Sequence, residues 1–564
     1  MFLETGAKLG AAALVLRVAP AFGTSADKDT GKGAGGAAAA ATHPDASPKP
    51  AGAQQPFELE EITVADLQKR QQSGEFTARS LAEKYLARID ALDKRGPHLN
   101  AVIEINPDAL SIADSLDAER KAKGARGPLH GVPVLLKDNI GTADRMSTTA
   151  GSLALAGFTP AADAGVARRL RDAGAVILGK TNLSEWANFR SSHASSGWSG
   201  RGGQTHNPYA LDRSPCGSSS GSGAGVSANF CAVAVGTETD GSIVCPASAN
   251  GVVGIKPTLG LASRAGIIPI AHSQDTAGPL CRTVADAAIL LGALAAEDSA
   301  DAATQASRGK LAADYTKFLD RAGLRGARIG VVRKAFEPAE DVARVFDEAI
   351  AAMKHEGAAI VDPVEIASLG KFDDSELAVL MYEFKTDLDA YLAAAGPRTK
   401  VHSLKDVIEF NKKNESREMA YFGQDILEKS QAKGPLTDKA YLDALAKNHR
   451  LTREEGIDAA LAKYKLDALV APTAGPSWLI DLIDGDHDTG GSSSLAAVAG
   501  YPAIAVPAGF LFGLPMGISF FGAAWSEPTL LRIAYAFEQA TQVRKPPRFL
   551  ATAPLAATRK SAAE

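Results

Sequence analysis

Residues 213–257, RSPCGSSSGSGAGVSANFCAVAVGTETDGSIVCPASANGVVGIKP, decide how the rest of the chain is read. Four serines, Ser218, Ser219, Ser220 and Ser222, stand among glycines at the start of this stretch. Small residues suited to a helix follow, then an alternating apolar run at 231–235 that predicts a strand, then a loop over 236–242. A serine hydroxyl is a poor nucleophile until a base takes its proton and backbone N–H groups wait where negative charge develops. The turn Thr239-Asp240-Gly241-Ser242 answers the second need. Successive N–H groups leaving a strand can converge into an anion-holding nest, and Gly241 has no Cβ to block close approach. Ser242 is therefore the first candidate nucleophile. Thr239, Asp240 and Gly241 are candidate oxyanion or substrate-binding positions, and Ser219 is a further candidate for binding substrate.

The glycine-serine loop at 217–225 has rival readings. A phosphate cradle would end in Lys-Ser or Lys-Thr, and no such pair closes this loop. A flexible tether would not be flanked by an apolar helix and strand. Gly217-Ser218-Ser219-Ser220-Gly221 matches the G-x-S-x-G nucleophile elbow, which would make Ser219 the attacking group. That motif needs a strand directly before the serine. The preceding LDRSPC, with Arg213 and Pro215, argues against one because proline has no N–H for a ladder.

The pairing of GSSSGSGAG with TETDGSIVCPASANGVVGIKP resembles the amidase signature family. The resemblance extends from about Phe57 through LNAVIEINP at 99–107 and GAVILGKTNLSEWAN at 174–188 to GLPMGISFFG at 513–522. SPCGSSSGS and GIIPIAHSQDTAGPL at 266–280 look most like its peptide amidase branch. The resemblance implies a serine in a cis peptide relaying protons between a lysine and the nucleophilic serine. Carried over by position, Ser218 is the relay, Ser242 the nucleophile, and Lys137, in GVPVLLKDN at 131–139, the base. One departure is visible: some members have two glycines ahead of the relay serine, where this chain has Cys216-Gly217. A free lysine has a pKa of about 10.4, so only about one molecule in 10³ holds the neutral amine at pH 7. Lowering it by ~2–3 units takes roughly 3–4 kcal/mol, which burial beside the apolar run 132–136 can supply. On lysine alone, pairing with Asp138 at a strand end is the simpler account; the two serine loops reverse that preference.

The resemblance implies one large α/β fold over residues 57–555, with a mixed central β-sheet covered by helices on both faces. The order of elements agrees with it. Strands are expected at 101–105, 132–136, 176–178, 328–332, 358–361, 468–470 and 503–506. Helices are expected after Thr63 and Thr77 as N-caps, and at 166–173, 283–297 and 342–356. The charged segments 374–395 and 404–446 read as helical, and the resemblance is weakest there, so substrate-selecting walls are expected in that region. At 564 residues the chain would ordinarily suggest several domains, but the proposed catalytic pieces at 137, 218 and 242 and the strands beyond 500 read as one unit.

Net charge is −5, with 60 basic and 65 acidic side chains, so no basic excess invites nucleic acid. No apolar run is long enough to span a bilayer. Residues 1–26 carry features of an export signal: Lys8, the apolar run 9–23, and Ala21-Phe22-Gly23 ahead of Thr24, weakened by Glu4 and Arg17. Residues 27–56, rich in Ala, Gly and Pro, read as a flexible tether, and 556–564 as a flexible tail. The expected location is exported, periplasmic or secreted; the alternative is a cytoplasmic protein with an N-terminal extension. The four cysteines, Cys216, Cys231, Cys245 and Cys281, are expected to be free packing thiols. Asp481, Asp484, Asp486, His487 and Asp488 lack the spacing of a calcium loop. They read as a solvated loop near the pocket mouth, and no metal or cofactor is expected. The activity implied is hydrolysis of a small-molecule or peptide carboxamide, releasing ammonia through an acyl-enzyme. The alternatives are an amidotransferase subunit supplying ammonia to charged tRNA and a non-catalytic peptide-binding protein of the same fold.

Overall fold

The computed structural model describes residues 57–335 and 339–555. The signal, tether and tail readings, at 1–26, 27–56 and 556–564, lie outside them. Thirteen strands run in order: β1 Val102–Ile105, β2 Pro133–Lys137, β3 Val176–Thr181, β4 Trp198–Ser199, β5 Gly203–Gln204, β6 Val233–Glu238, β7 Val253–Lys256, β8 Thr276–Cys281, β9 Arg328–Val331, β10 Ala359–Val361, β11 Ala468–Pro472, β12 Ala503–Leu511 and β13 Leu514–Phe521. The fourth and fifth form a separate two-stranded ribbon. The other eleven make one sheet in the order β1-β3-β2-β6-β8-β7-β12-β13-β11-β9-β10. The sheet is mixed: β2 runs parallel to β3 and β6, and β9 to β10 and β11, while the middle strands pair antiparallel. Every residue of β2, β3, β6, β7, β8, β11 and β13 is buried. A strand buried on both faces reads as a continuous apolar run, as VPVLL and AVIL do.

The caps seat the first helices. Thr63 accepts from the Asp66 N–H ahead of helix Val64–Gln72. Thr77 and Ser80 form a reciprocal capping box at helix Ala78–Ile89, whose Leu81, Tyr85 and Ile89 enter the main core. Helices Val284–Leu294 and Glu340–His355 fall where the periodicity placed them. The segment 404–446 divides into Leu404–Lys413, Glu415–Glu418, Asp425–Gln431 and part of Lys439–His449. Leu404–Lys413 and Asp425–Gln431, together with the long helix Asp373–Ala395, carry a second apolar core in which Leu380, Phe384, Leu388, Leu404 and Leu427 pack on Phe189 and Ile270.

Helix Ser220–Ser227 is fully buried, and its smallness lets it lie against the sheet end. The Gly221 N–H donates to the Asn182 carbonyl at 3.0 Å, and a Cβ there would press into the carbonyl oxygens of Ala101 and Asn182. Gly221→Ala is expected to cost about 1–3 kcal/mol through overpacking, measured as a lower urea midpoint.

Candidate active site

Strands β2 and β6 lie side by side, with Leu136 opposite Val235, so Lys137 at the end of β2 meets Thr237 near the end of β6. Lys137 is fully buried. Its Nζ lies 2.7 Å from Ser218 Oγ, 2.9 Å from Thr237 Oγ1 and 3.2 Å from the Thr237 carbonyl. A neutral amine has two N–H donors and one lone pair. With Thr237 Oγ1 and C=O as acceptors, the lone pair is left for the Ser218 O–H. Burial lowers the Lys137 pKa to about 7, opposed by the negative charges of Asp275 and Glu238. The energetic hurdle seen in the sequence is thus met by desolvation.

Ser218 is fully buried and the Gly217–Ser218 peptide is cis. Ser242 lies on the turn after β6, just ahead of helix Val244–Ala249. Gly241 takes φ +76°, a left-handed conformation that favours glycine. Glu238 holds the turn from behind: its Oε2 accepts from the N–H groups of Ile243 at 2.7 Å and Val244 at 3.0 Å. Among the described residues, the N–H groups of Asp240, Gly241 and Ser242 donate to no protein acceptor, so they remain available to an oxyanion. The Ser242 carbonyl accepts from the Ser219 N–H at 3.2 Å. The Ser242 hydroxyl makes no hydrogen bond to Ser218. Lys137 and Ser218 are thus joined directly, and Ser242 shares a cavity with Ser218.

That cavity has a volume of about 440 Å³. Ser218, Thr239, Asp240, Gly241 and Ser242 line it together with Phe189, Ile270 and Leu380, which pack in one apolar cluster, and Trp478, which packs with Cys216. Leu380 comes from the helical region expected to supply substrate walls. Asp488 also lines the cavity, as does Asp486, whose carboxylate turns inward to the Trp478 Nε1–H at 2.9 Å and the Ser196 O–H at 2.5 Å. The acidic loop is therefore partly a wall of the site rather than wholly solvated. A smaller cavity of about 200 Å³ shares Ala187, Thr239 and Ile270 with it and reaches Asn139 and Thr237.

Three expectations need correcting or narrowing. Ser219 does not face the cavity: its Oγ donates to the Thr237 carbonyl at 3.0 Å and accepts from the Thr237 N–H at 3.2 Å, locked onto β6. No strand precedes it, so the elbow geometry is absent from this loop. The Asp240 carboxylate accepts from the Ser494 O–H at 2.6 Å through Oδ2, while its buried Oδ1 has no hydrogen-bond partner among the described residues. Cys216 and Cys245 are joined by a disulfide rather than free; Cys231 and Cys281 are buried thiols.

Sequence reasoning missed Thr237, Asn139, Glu238 and Asp275. The Asn139 Nδ2–H donates to Thr237 Oγ1 at 3.0 Å. Asp275 accepts from the Thr239 O–H at 2.6 Å and from the N–H groups of Ile270 and Ala271 at 2.8 and 3.0 Å. Burial raises its pKa to about 6. Both Asn139 and Asp275 lie inside motifs that carry the resemblance, KDN and SQD, which was the available signal. Asp275→Ala removes the acceptor for the Thr239 hydroxyl and for two backbone N–H groups and loosens Thr239. It is expected to lower kcat about 10-fold or more, checked by steady-state kinetics beside an unfolding curve.

Two acid-histidine groups could approach a metal ion among the described residues, His272/Glu383/Asp387 and Asp481/Asp484/His487. The first is knit by its own hydrogen bonds: the Asp387 carboxylate takes the His272 backbone N–H at 3.0 Å, and Glu383 takes the Tyr441 O–H at 2.8 Å.

A buried lysine amine bonded to one serine, with a second serine and open N–H groups in the same cavity, is an arrangement able to activate a hydroxyl without histidine. The chain belongs to the amidase family, the amidase signature enzymes: the Amidase family profile matches residues 80–531. It is a hydrolase acting on amides. It is 53% identical to the peptide amidase of Stenotrophomonas maltophilia, whose solved structure superposes with a TM-score of 0.84 over 88% of this chain and 100% of that one. A probable amidase of Arabidopsis thaliana is 46% identical over 504 residues, 88% of this chain and 93% of the relative. A glutamyl-tRNA(Gln) amidotransferase subunit of Halorhodospira halophila is 34% identical over 499 residues, 86% and 99% of the two chains.

Proposed function

We propose that this amidase releases ammonia from carboxamides, foremost the C-terminal amides of peptides, by a Lys137–Ser218–Ser242 relay. The observation that carries the reading is the Lys137 Nζ to Ser218 Oγ bond of 2.7 Å inside a buried site. Neutral Lys137 takes the Ser218 proton as Ser218 takes that of Ser242, and Ser242 Oγ attacks the amide carbon. The Ser218 to Ser242 hydrogen bond forms with substrate in place; such bonds are often long in empty sites. The N–H groups of Asp240, Gly241 and Ser242 hold the oxyanion, a contribution of about 2.7–4 kcal/mol for a single donor elsewhere. The tetrahedral intermediate collapses as the relay returns a proton to the departing nitrogen, and water then hydrolyses the acyl-enzyme on Ser242. The apolar cluster of Phe189, Ile270 and Leu380 in the cavity lining suits a peptide side chain next to the scissile amide, and the 53% identity to a peptide amidase supports that substrate class.

The test is ammonia release from a panel of amidated peptides and simple carboxamides by the purified chain alone. Turnover that prefers peptide amides is expected. Turnover only with partner subunits would favour instead the amidotransferase role of the 34% identical relative. The export reading of residues 1–26 belongs to the same proposal and is tested by the N-terminal sequence of the mature protein.

A further inference from the structure

The Cys216–Cys245 bond lies between the two serine segments. Cys216 precedes Ser218 by two residues, and Cys245 follows Ser242 by three, with their α-carbons 6.1 Å apart. Both cysteines line the cavity, and Cys216 packs with Ala249 and Trp478. The bond therefore ties the segment that carries Ser218 to the helix that follows Ser242.

The reaction makes such a tie useful. Lys137 and Ser218 are already hydrogen-bonded, but the hydroxyls of Ser218 and Ser242 are not, and their alignment depends on two separate backbone segments. The hydrogen bonds from the Ser218 segment that reach the Ser242 turn and the helix after it are the Ser219 N–H to the Ser242 carbonyl at 3.2 Å and the Asn250 Nδ2–H to the Pro215 carbonyl at 2.9 Å; the remaining ones, from Ser219 and Ser222, hold the Ser218 segment to β6 at Thr237 and Val235, short of Ser242. Cys216 itself takes φ +58°. That left-handed conformation costs a residue with a Cβ and would be free for glycine.

Resting on the relay reading above, we propose that the Cys216–Cys245 disulfide is a positioning element for the reaction. It fixes the approach of Ser218 to Ser242, and opening it lowers kcat without unfolding the chain. Opening by a dithiol reductant is balanced: the protein disulfide gains two electrons and two protons and becomes two thiols, while the reductant closes to its own cyclic disulfide.

The experiment compares the full chain before and after dithiothreitol with the double variant Cys216→Ser/Cys245→Ser. Thiols are counted by iodoacetamide labelling and mass spectrometry on a parallel sample. On one peptide amide, kcat is expected to fall about 10-fold or more, as misplacement near 1 Å does elsewhere, while KM changes less than about 2-fold. Far-UV circular dichroism and the pH midpoint of activity should stay put, because the Lys137–Ser218 pair is untouched. Reoxidation should restore the wild type and leave the double variant slow. Undiminished kcat with both thiols demonstrated would overturn the proposal, as would a loss that follows unfolding alone. Should the double variant not fold, the reduced wild type carries the comparison. Ser242 labelling by a fluorophosphonate separates the two readings: an oxidised chain that neither labels nor releases ammonia overturns both, while equal labelling rates in the two redox states overturn only this one.

Discussion

Ser242→Ala is expected to reduce ammonia release by about 10⁴-fold or more, down to what the remaining site achieves without a covalent step. Ser242 lines the cavity, and its hydroxyl has no hydrogen bond of its own among the described residues, so its loss leaves no buried partner unsatisfied. The turn is held by backbone contacts and by Glu238, which accepts from the N–H groups of the next two residues. Stability should therefore change by less than about 0.5 kcal/mol. The variant should also fail to form the acyl-enzyme that the wild type accumulates on a slow ester or amide, visible as a mass increase on the intact protein. An acyl adduct in Ser242→Ala, or activity within about 10-fold of wild type, would move the nucleophile elsewhere.

Lys137→Met is expected to lower kcat by about 10³-fold, within the range attributed to a general base. Its effect on stability runs the other way. The folded-state pKa is lowered to about 7 from an ordinary 10.5, so between those values the unfolded chain binds more protons than the folded one. Stability then rises with pH across that window. Below pH 7 both states carry the charge and burial exacts its full penalty, on the order of a few kcal/mol; above about pH 10.5 the penalty is gone. Methionine removes it at every pH, though it also removes a partner from Thr237 and Ser218. The variant should match or exceed the wild type in thermal midpoint at pH 6 and lose that advantage by pH 10. A variant that is slow, and equally destabilised at both pH values, would mean that Lys137 is buried as an ion pair and not as a free base.

Much of the fold was legible because strands buried on both faces leave continuous apolar runs, as in VPVLL before Lys137 and AVIL in β3. The ends of those strands were not. β3 continues through Gly179-Lys180-Thr181 and β6 through Gly236-Thr237-Glu238, polar residues that apolar patterning assigns to loops. They stay in the sheet because the ladder continues, Lys137 opposite Thr181 and Glu238 opposite Thr276, and because their side chains find partners inside. Lys180, for example, reaches the Ile140 carbonyl at 2.6 Å and Thr148 Oγ1 at 2.9 Å. These polar strand ends are where the site is built, so the patterning failed where the chemistry begins.

The resemblance named Lys137, Ser218 and Ser242 as the candidate site, and the composition of the turn after β6 pointed to Ser242 as well. Their supports were harder. Thr237 looks like any strand threonine until Lys137 is placed beside it. Asp275 lies 36 residues beyond Thr239 in sequence, and only the fold of the 266–275 loop brings it back. Which of four cysteines pair cannot be read from spacing. Ser219 was misplaced because a serine next to the relay looks available until its hydroxyl is seen locked on the Thr237 backbone.

The pH dependence of kcat/KM on an uncharged peptide amide, from pH 5 to 9.5, tests whether the Lys137 amine starts the reaction. Because the neutral form is the active one, the rate should rise tenfold per pH unit at the acid end, bend near pH 7 and level off above about pH 8. A profile that is flat through pH 7, or that keeps climbing towards pH 10 as an ordinary lysine would require, would contradict it.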